Sequence, residues 1–270
     1  MINQENKIKK AFENPGGKAF IAFLTAGDPD ADSTVEFILE MEKGGADLIE
    51  IGIPFSDPTA EGVVIQEANL RALKNKITTD GVFEIVERVR RQSQIPLAFM
   101  TYLNPVFHYG YERFFSRCQE LSVDGIIIPD LPYEEKGEVA EIAAAHNVCL
   151  ISMIAPTSAS RIQMIAREAE GFLYVVSSMD VTGVRSEIGT DLSSIVQNIR
   201  QVTKTPCAIG FGISTPRQAR QMAEVSDGAI VGSAIVKIIA QYKKEAGPKI
   251  REYVQNMKAA VLEAADKNFP

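Results

Sequence analysis

The chain has 270 residues, 46% of them hydrophobic, and a formal net charge of −7; that is enough apolar material for one large α/β domain or two small ones and too acidic a balance for a nucleic-acid or anionic-membrane partner, both of which need a basic face. No apolar stretch reaches the roughly 20 residues of a membrane span and the first ten residues lack the apolar core of a secretory signal, so a cytoplasmic protein is the expectation. Cys118, Cys149 and Cys207 are odd in number, far apart and set among apolar neighbours, and they read as core thiols rather than as disulfides or zinc ligands.

In chain order, short β-branched runs predict eight strands: Phe20 to Thr25, Leu48 to Ile51, Leu97 to Thr101, Gly125 to Ile128, Cys149 to Ile154, Phe172 to Val176, Cys207 to Ile209 and Ala229 to Val231. Between them apolar residues recur at three- and four-residue spacing, as in Leu192, Ile195, Val196, Ile199 and Val202, or Ile250, Val254, Met257 and Val261, the spacing of amphipathic helices. Thr215 followed by Pro216 is a helix start, a capping hydroxyl with proline at the first helical position. Gly45-Ala-Asp47, Val123-Asp-Gly125 and Ser226-Asp-Gly228 introduce three strands in the same way, which hints at a repeated βα unit. The rhythm predicts an α/β fold, a single (β/α)8 TIM barrel domain over residues 1–270, with extra N-terminal and loop helices. An open doubly wound sheet would want a Gly-x-Gly-x-x-Gly turn after the first strand, and Thr25-Ala-Gly-Asp-Pro29 is not one.

In a barrel the chemistry sits at the C-terminal ends of strands and in the loops that follow. Glu50 interrupts the apolar strand Asp47-Leu-Ile-Glu-Ile-Gly52. A carboxylate there is costly, so either a cation pairs with it or burial raises its pKa and suits it to proton transfer. The loop Pro54-Phe-Ser-Asp-Pro-Thr-Ala-Glu-Gly62 adds Asp57 and Glu61. Two carboxyls at one mouth can serve as acid and base on one substrate, although Ser56-Asp57-Pro58 is also ordinary turn chemistry and Glu61 could simply complement a helix dipole. At the far end, Ile209-Gly-Phe-Gly-Ile-Ser214 and Val231-Gly-Ser-Ala-Ile-Val236 follow strands seven and eight, where barrels hold phosphate with backbone amides and a helix N-terminus. Gly183, in Val181-Thr-Gly-Val184, is a candidate third loop. His108, after an Asn104-Pro105 turn, and His146, at a helix end, lie in no cluster with ligand spacing, so no metal site is expected.

These segments carry a resemblance. Glu50-Ile-Gly-Ile-Pro-Phe-Ser-Asp-Pro58, Gly210-Phe-Gly-Ile-Ser214 and Gly232-Ser-Ala-Ile-Val-Lys-Ile-Ile239, with Thr25-x-Gly27-Asp28-Pro29 and Val181-Thr-Gly183, make the chain similar over its length to the α subunit of tryptophan synthase. The resemblance implies retro-aldol cleavage of indole-3-glycerol phosphate to indole and glyceraldehyde 3-phosphate, with no cofactor or metal in this chain. It gives Glu50 the part of principal acid/base and Glu61 that of the second carboxylate, on the indole N–H. It places Gly183, Gly212, Gly232 and Ser233 at the phosphate, and Phe23, Ile65, Tyr102 and Tyr174 near the indole. It also implies a β subunit carrying pyridoxal phosphate in an α2β2 complex, with Asp57 at the coupling interface and a mobile lid from Val181 to about Asp191. The family usually has Asp where Glu61 stands, Pro at Val63 and Gly at Asp180. A stand-alone indole-3-glycerol phosphate lyase and a catalytically weak activator of the β partner are the alternative readings.

Overall fold

Among the described residues the apolar runs form nine parallel strands: β1 (Ala19–Thr25), β2 (Leu48–Gly52), β3 (Leu97–Met100), β4 (Gly125–Ile127), β5 (Cys149–Leu150), β6 (Ser152–Ile154), β7 (Leu173–Val176), β8 (Cys207–Gly210) and β9 (Gly228–Val231). The computed structural model describes residues 6–13, 16–177 and 192–265. Hydrogen bonding runs in the order β5-β4-β3-β2-β1-β9-β8-β7-β6, so first and last strands pair and a barrel forms. Alternate residues face inward: Ala19, Ile21 and Phe23, Leu48, Ala98 and Met100, and Tyr174 pack in one interior cluster, while Phe20, Ala22, Leu24, Ile49 and Ile51 pack against the surrounding helices, as the two-residue period of a strand requires. At the end where the strands begin, Ile8, Ala11 and Phe12 join the interior cluster, and Phe12 meets Phe172 with ring centroids 5.6 Å apart.

The three aspartates that introduce strands share one function. Asp47 accepts from the Phe20 N–H at 2.7 Å, Asp124 from Leu97 at 3.0 Å and Asp227 from Cys207 at 2.7 Å. Each caps an amide at the start of the preceding strand, the first residue in β3 and β8 and the second in β1, which fixes register where the ladder starts. Thr215 caps Pro216–Val225 in a full capping box with Gln218, as its sequence implies. Extra helices do occupy the loops: Val63–Lys74 stands before Thr79–Arg90 between β2 and β3, and Leu103–Tyr109 before Tyr111–Glu120 between β3 and β4.

Four expectations change in detail. The fifth predicted strand is two, because its first half pairs with β4 and its second with β7, the chain changing partner at Ile151. Asn104 and Pro105 do not form a turn but lie in the first turn of helix Leu103–Tyr109, where proline loses no helical bond. The described N-terminal element is a single 3-10 turn, Lys9–Phe12. Cys149 is only partly buried, whereas Cys118 and Cys207 are core residues.

Candidate active site

β2 holds Glu50 between Phe23 of β1 and Ala98 of β3, on the inward face that Leu48 shares. Its side chain is 0% exposed and neither carboxyl oxygen has a hydrogen-bond partner. Burial alone pushes its pKa to about 8, because a charge in an apolar interior loses its hydration. The ion-pair alternative therefore falls among the described residues. Tyr174 lies on the same interior; burial first and the Glu50 charge second raise its phenol well above the ordinary value. Its oxygen comes so close to Gly210 that a Cβ there would sit 2.5 Å away, so glycine at the end of β8 admits the tyrosine. Phe23 also abuts Gly232, whose added Cβ would meet its ring at 3.1 Å, which ties the glutamate's neighbour to the loop after β9.

The second carboxyl arrives on the loop after β2. Glu61 is half-buried, and Asn69 of helix Val63–Lys74 donates to its Oε2 at 2.6 Å. Burial pushes Glu61 up to about 7, with the Asn69 bond opposing the rise. The loop is held by Tyr102, whose hydroxyl oxygen accepts from the Ala60 N–H at 3.0 Å and whose ring lies 5.4 Å from that of Phe55. Tyr102 thus braces the loop that carries Glu61 as well as being a buried aromatic. Arg71, on the same helix as Asn69, makes a two-pronged contact with Asp28 at 2.9 and 2.7 Å and fastens that helix to the loop after β1. Ile65, half-buried, packs on the interior cluster. Asp57 stands apart from this group, exposed at the loop surface.

Two further loops present backbone. After β8, Phe211 and Gly212 both have φ of +73°, a conformation that suits glycine and strains phenylalanine. Ser177 holds the bend by donating to the Phe211 carbonyl at 2.8 Å. After β9, Gly232 precedes helix Ser233–Tyr242 with no side-chain cap, so the first amides of that helix are free for an anion, and Ser233 is exposed beside them. Gly183, Asp180 and the segment from Val181 to Asp191 lie outside the described residues.

A cavity of about 610 Å³ opens among Ala60, Ile128, Met153, Val176 and Phe211, within the size range of small-ligand sites. Glu50 is not on its lining and is wholly buried. Asn69, Phe211 and Met153 were not among the residues that sequence reasoning selected. Phe211 could have been, as the residue between the two glycines of its motif. Among the described residues no group of three metal-ligating side chains occurs, and no helix is long and apolar enough to cross a membrane.

Comparison with known proteins agrees with the barrel fold. The family model for the tryptophan synthase alpha chain matches residues 10–264. A tryptophan synthase alpha chain from Lacticaseibacillus casei is 48% identical over 256 residues, covering 95% of this chain and 96% of its own. The crystal structure of the alpha chain from Legionella pneumophila superposes with a TM-score of 0.84 at 36% identity, over 96% of this chain and 98% of the other. A structure of the tryptophan synthase a2b2 complex from Pyrococcus furiosus contains a chain that superposes with a TM-score of 0.81 at 34% identity, over 89% of this chain and 98% of the other.

Proposed function

The chain belongs to the tryptophan synthase alpha chain family, and from that premise we propose how its residues carry out the family's reaction, the cleavage of indole-3-glycerol phosphate to indole and glyceraldehyde 3-phosphate. The observation that carries the proposal is Glu50, a buried, unpartnered carboxyl whose pKa of about 8 keeps it protonated at neutral pH and close enough to neutrality to give and regain a proton.

Glu50 protonates the indole ring at C3. Positive charge spreads to the ring nitrogen, where Glu61, ionised and held by Asn69, accepts the N–H and stabilises the cation. The Glu50 carboxylate then takes the proton of the hydroxyl on the carbon attached to C3. The bond between that carbon and C3 breaks, its electrons restore the aromatic ring, and the hydroxyl carbon becomes the aldehyde of glyceraldehyde 3-phosphate. Each carboxyl ends in its starting state. Phe23, Ile65, Tyr102 and Tyr174 enclose the ring, and the amides around Gly212, Gly232 and Ser233, with Gly183, hold the phosphate without a cationic side chain, as suits an acidic chain. Proton transfers between side chains and substrate supply all the chemistry, so no cofactor is assigned to this chain.

We read the whole chain, residues 1–270, as one barrel domain working in the cytoplasm with a β subunit that carries pyridoxal phosphate and receives the indole. The Pyrococcus furiosus complex supports that partnership, as do Asp57 on the loop after β2, Val63 at the start of the helix that follows it and Phe107 in helix Leu103–Tyr109 after β3, the last two 57% and 62% exposed. The test is indole release from indole-3-glycerol phosphate by the native chain, Glu50→Gln and Glu61→Gln, each with and without a β subunit. Cleavage that rises with the β subunit and disappears in both variants supports the assignment. Cleavage retained by Glu50→Gln refutes it, and full activity without a partner makes the chain a stand-alone lyase.

A further inference from the structure

Among the described residues three buried side-chain oxygens have no hydrogen-bond partner: the two of Glu50 and the hydroxyl of Thr25. They are neighbours in the barrel. Phe23 is paired with Glu50 and Thr25 with Gly52, so Thr25 lies two residues further along β1 on the same inward face as Phe23, one step nearer the mouth than Glu50. Diagonal neighbours on paired strands lie roughly 7–8 Å apart at the backbone, a span that one ligand oxygen can bridge between a glutamate carboxyl and a threonine hydroxyl.

A buried hydroxyl with nothing to bond is destabilising, and valine would fill the same space without that penalty. Thr25 closes the strand Ala19-Phe-Ile-Ala-Phe-Leu-Thr25, whose other six residues are all apolar. It is 1% exposed, so bulk water does not satisfy it. Among the described residues Glu50, Thr25 and the Tyr174 phenol all belong to this interior, and the first two have no hydrogen-bond partner.

Resting on the lyase reading above, we propose that Thr25 is a substrate-binding residue: its hydroxyl and the Glu50 carboxyl grip the same substrate group, the hydroxyl on the carbon attached to indole C3. In the cleavage step the substrate O–H donates to the Glu50 carboxylate while the Thr25 O–H donates to the substrate oxygen. As the proton passes to Glu50 and the carbon–carbon bond breaks, negative charge grows on that oxygen before the aldehyde forms. Thr25 steadies it there and nowhere else on the path, so its effect falls on the rate of cleavage. The proton leaves the substrate oxygen for Glu50, the bonding electrons return to the ring, and Thr25 keeps its own proton throughout.

The experiment uses the full chain with its β subunit, in native, Thr25→Val and Thr25→Ser forms. Each is assayed for cleavage of indole-3-glycerol phosphate and for binding of indole-3-propyl phosphate, which keeps ring and phosphate but has no glycerol hydroxyl. Thr25→Val is expected to lower kcat roughly 10- to 100-fold, with a smaller change in KM, and to bind the hydroxyl-free ligand within about twofold of native; Thr25→Ser recovers most of the rate. Native-like cleavage by Thr25→Val overturns the proposal. So does an equal loss of indole-3-propyl phosphate binding, which would make Thr25 a structural residue. A native chain that fails to cleave at all refutes the lyase reading itself, a result separate from either.

Discussion

Asn69 donates to the Glu61 carboxylate over 2.6 Å, and it does so from a side chain only 3% exposed. The bond opposes the burial that otherwise raises Glu61, so Asn69 both aims the carboxylate and holds down its affinity for a proton. Helix Val63–Lys74 delivers it, and in the proposed mechanism the other Glu61 oxygen takes the ring N–H.

Asn69→Ala is therefore expected to move the Glu61 pKa above about 7. The rising limb of the pH–rate profile shifts to higher pH, and kcat/KM near neutrality falls about tenfold, the equivalent of one lost hydrogen bond to a charged group. A complete pH profile checks this. A uniform loss with no shift of the limb would assign Asn69 to helix stability alone.

In the proposed mechanism the two carboxyls also set the native profile. Glu61 acts ionised, so activity is expected to rise through about 7; Glu50 acts protonated, so activity is expected to fall through about 8. The expected kcat/KM curve is a narrow bell with its maximum between them, read as macroscopic values of a coupled site. Stability follows the same sign. The folded pKa of Glu50 lies above its ordinary 4.5, so its protonated form supports the fold fully below about 4.5 and that support is lost as pH rises to about 8 and beyond. Glu50→Gln, which cannot ionise, is expected to be more stable than native at pH 9 by a few kcal/mol and to lose most of that advantage by pH 5. Urea melts at the two pH values measure it, and an advantage independent of pH would place the ionisation of Glu50 elsewhere.

Tyr102→Phe keeps the ring against Phe55 and removes only the acceptor for the Ala60 N–H. The expected cost in stability is about 1 kcal/mol, but the loop released is the one that places Glu61, and misplacement of a reacting group by about 1 Å can cost roughly 100-fold. A drop in kcat of at least about tenfold with a melting temperature lowered by only about 2–4 °C is the signature. Native kcat would show that Phe55 packing suffices to hold the loop.

Much of the barrel was legible because its strands are apolar runs between turn residues, and Glu50 stood out because it is a charge within one of them. The Thr215–Pro216 cap was equally plain, since its geometry is local. What escaped depends on contacts distant in sequence. Cys149 to Ile154 carries no breaker; it divides at Ile151 only because β4 bonds the chain up to there and β7 bonds it beyond. Pro105 serves a turn or the first turn of a helix equally well, and the helix wins by packing Val106 into the core. Asn69 reads as a solvent-facing helical residue until the Glu61 loop folds over it, and Thr25 reads as a strand end until its missing partner is noticed beside Glu50.

Arg71 and Asp28 link the site to the stability of the frame. Asp28 is 2% exposed and receives both prongs of the guanidinium, while Arg71 remains about one-third exposed. Removing the arginine strands a buried carboxylate, so Arg71→Ala is expected to cost roughly 2–3 kcal/mol, less than a fully buried pair because water reaches the vacated side. The urea midpoint should fall with an unchanged slope. The same helix carries Asn69 and Ile65, so cleavage should weaken in parallel. Asp28→Asn in the Arg71→Ala background should then recover part of the lost stability, since the stranded charge is gone; failure to recover any would mean that the guanidinium stabilises through its packed stem rather than through its charge.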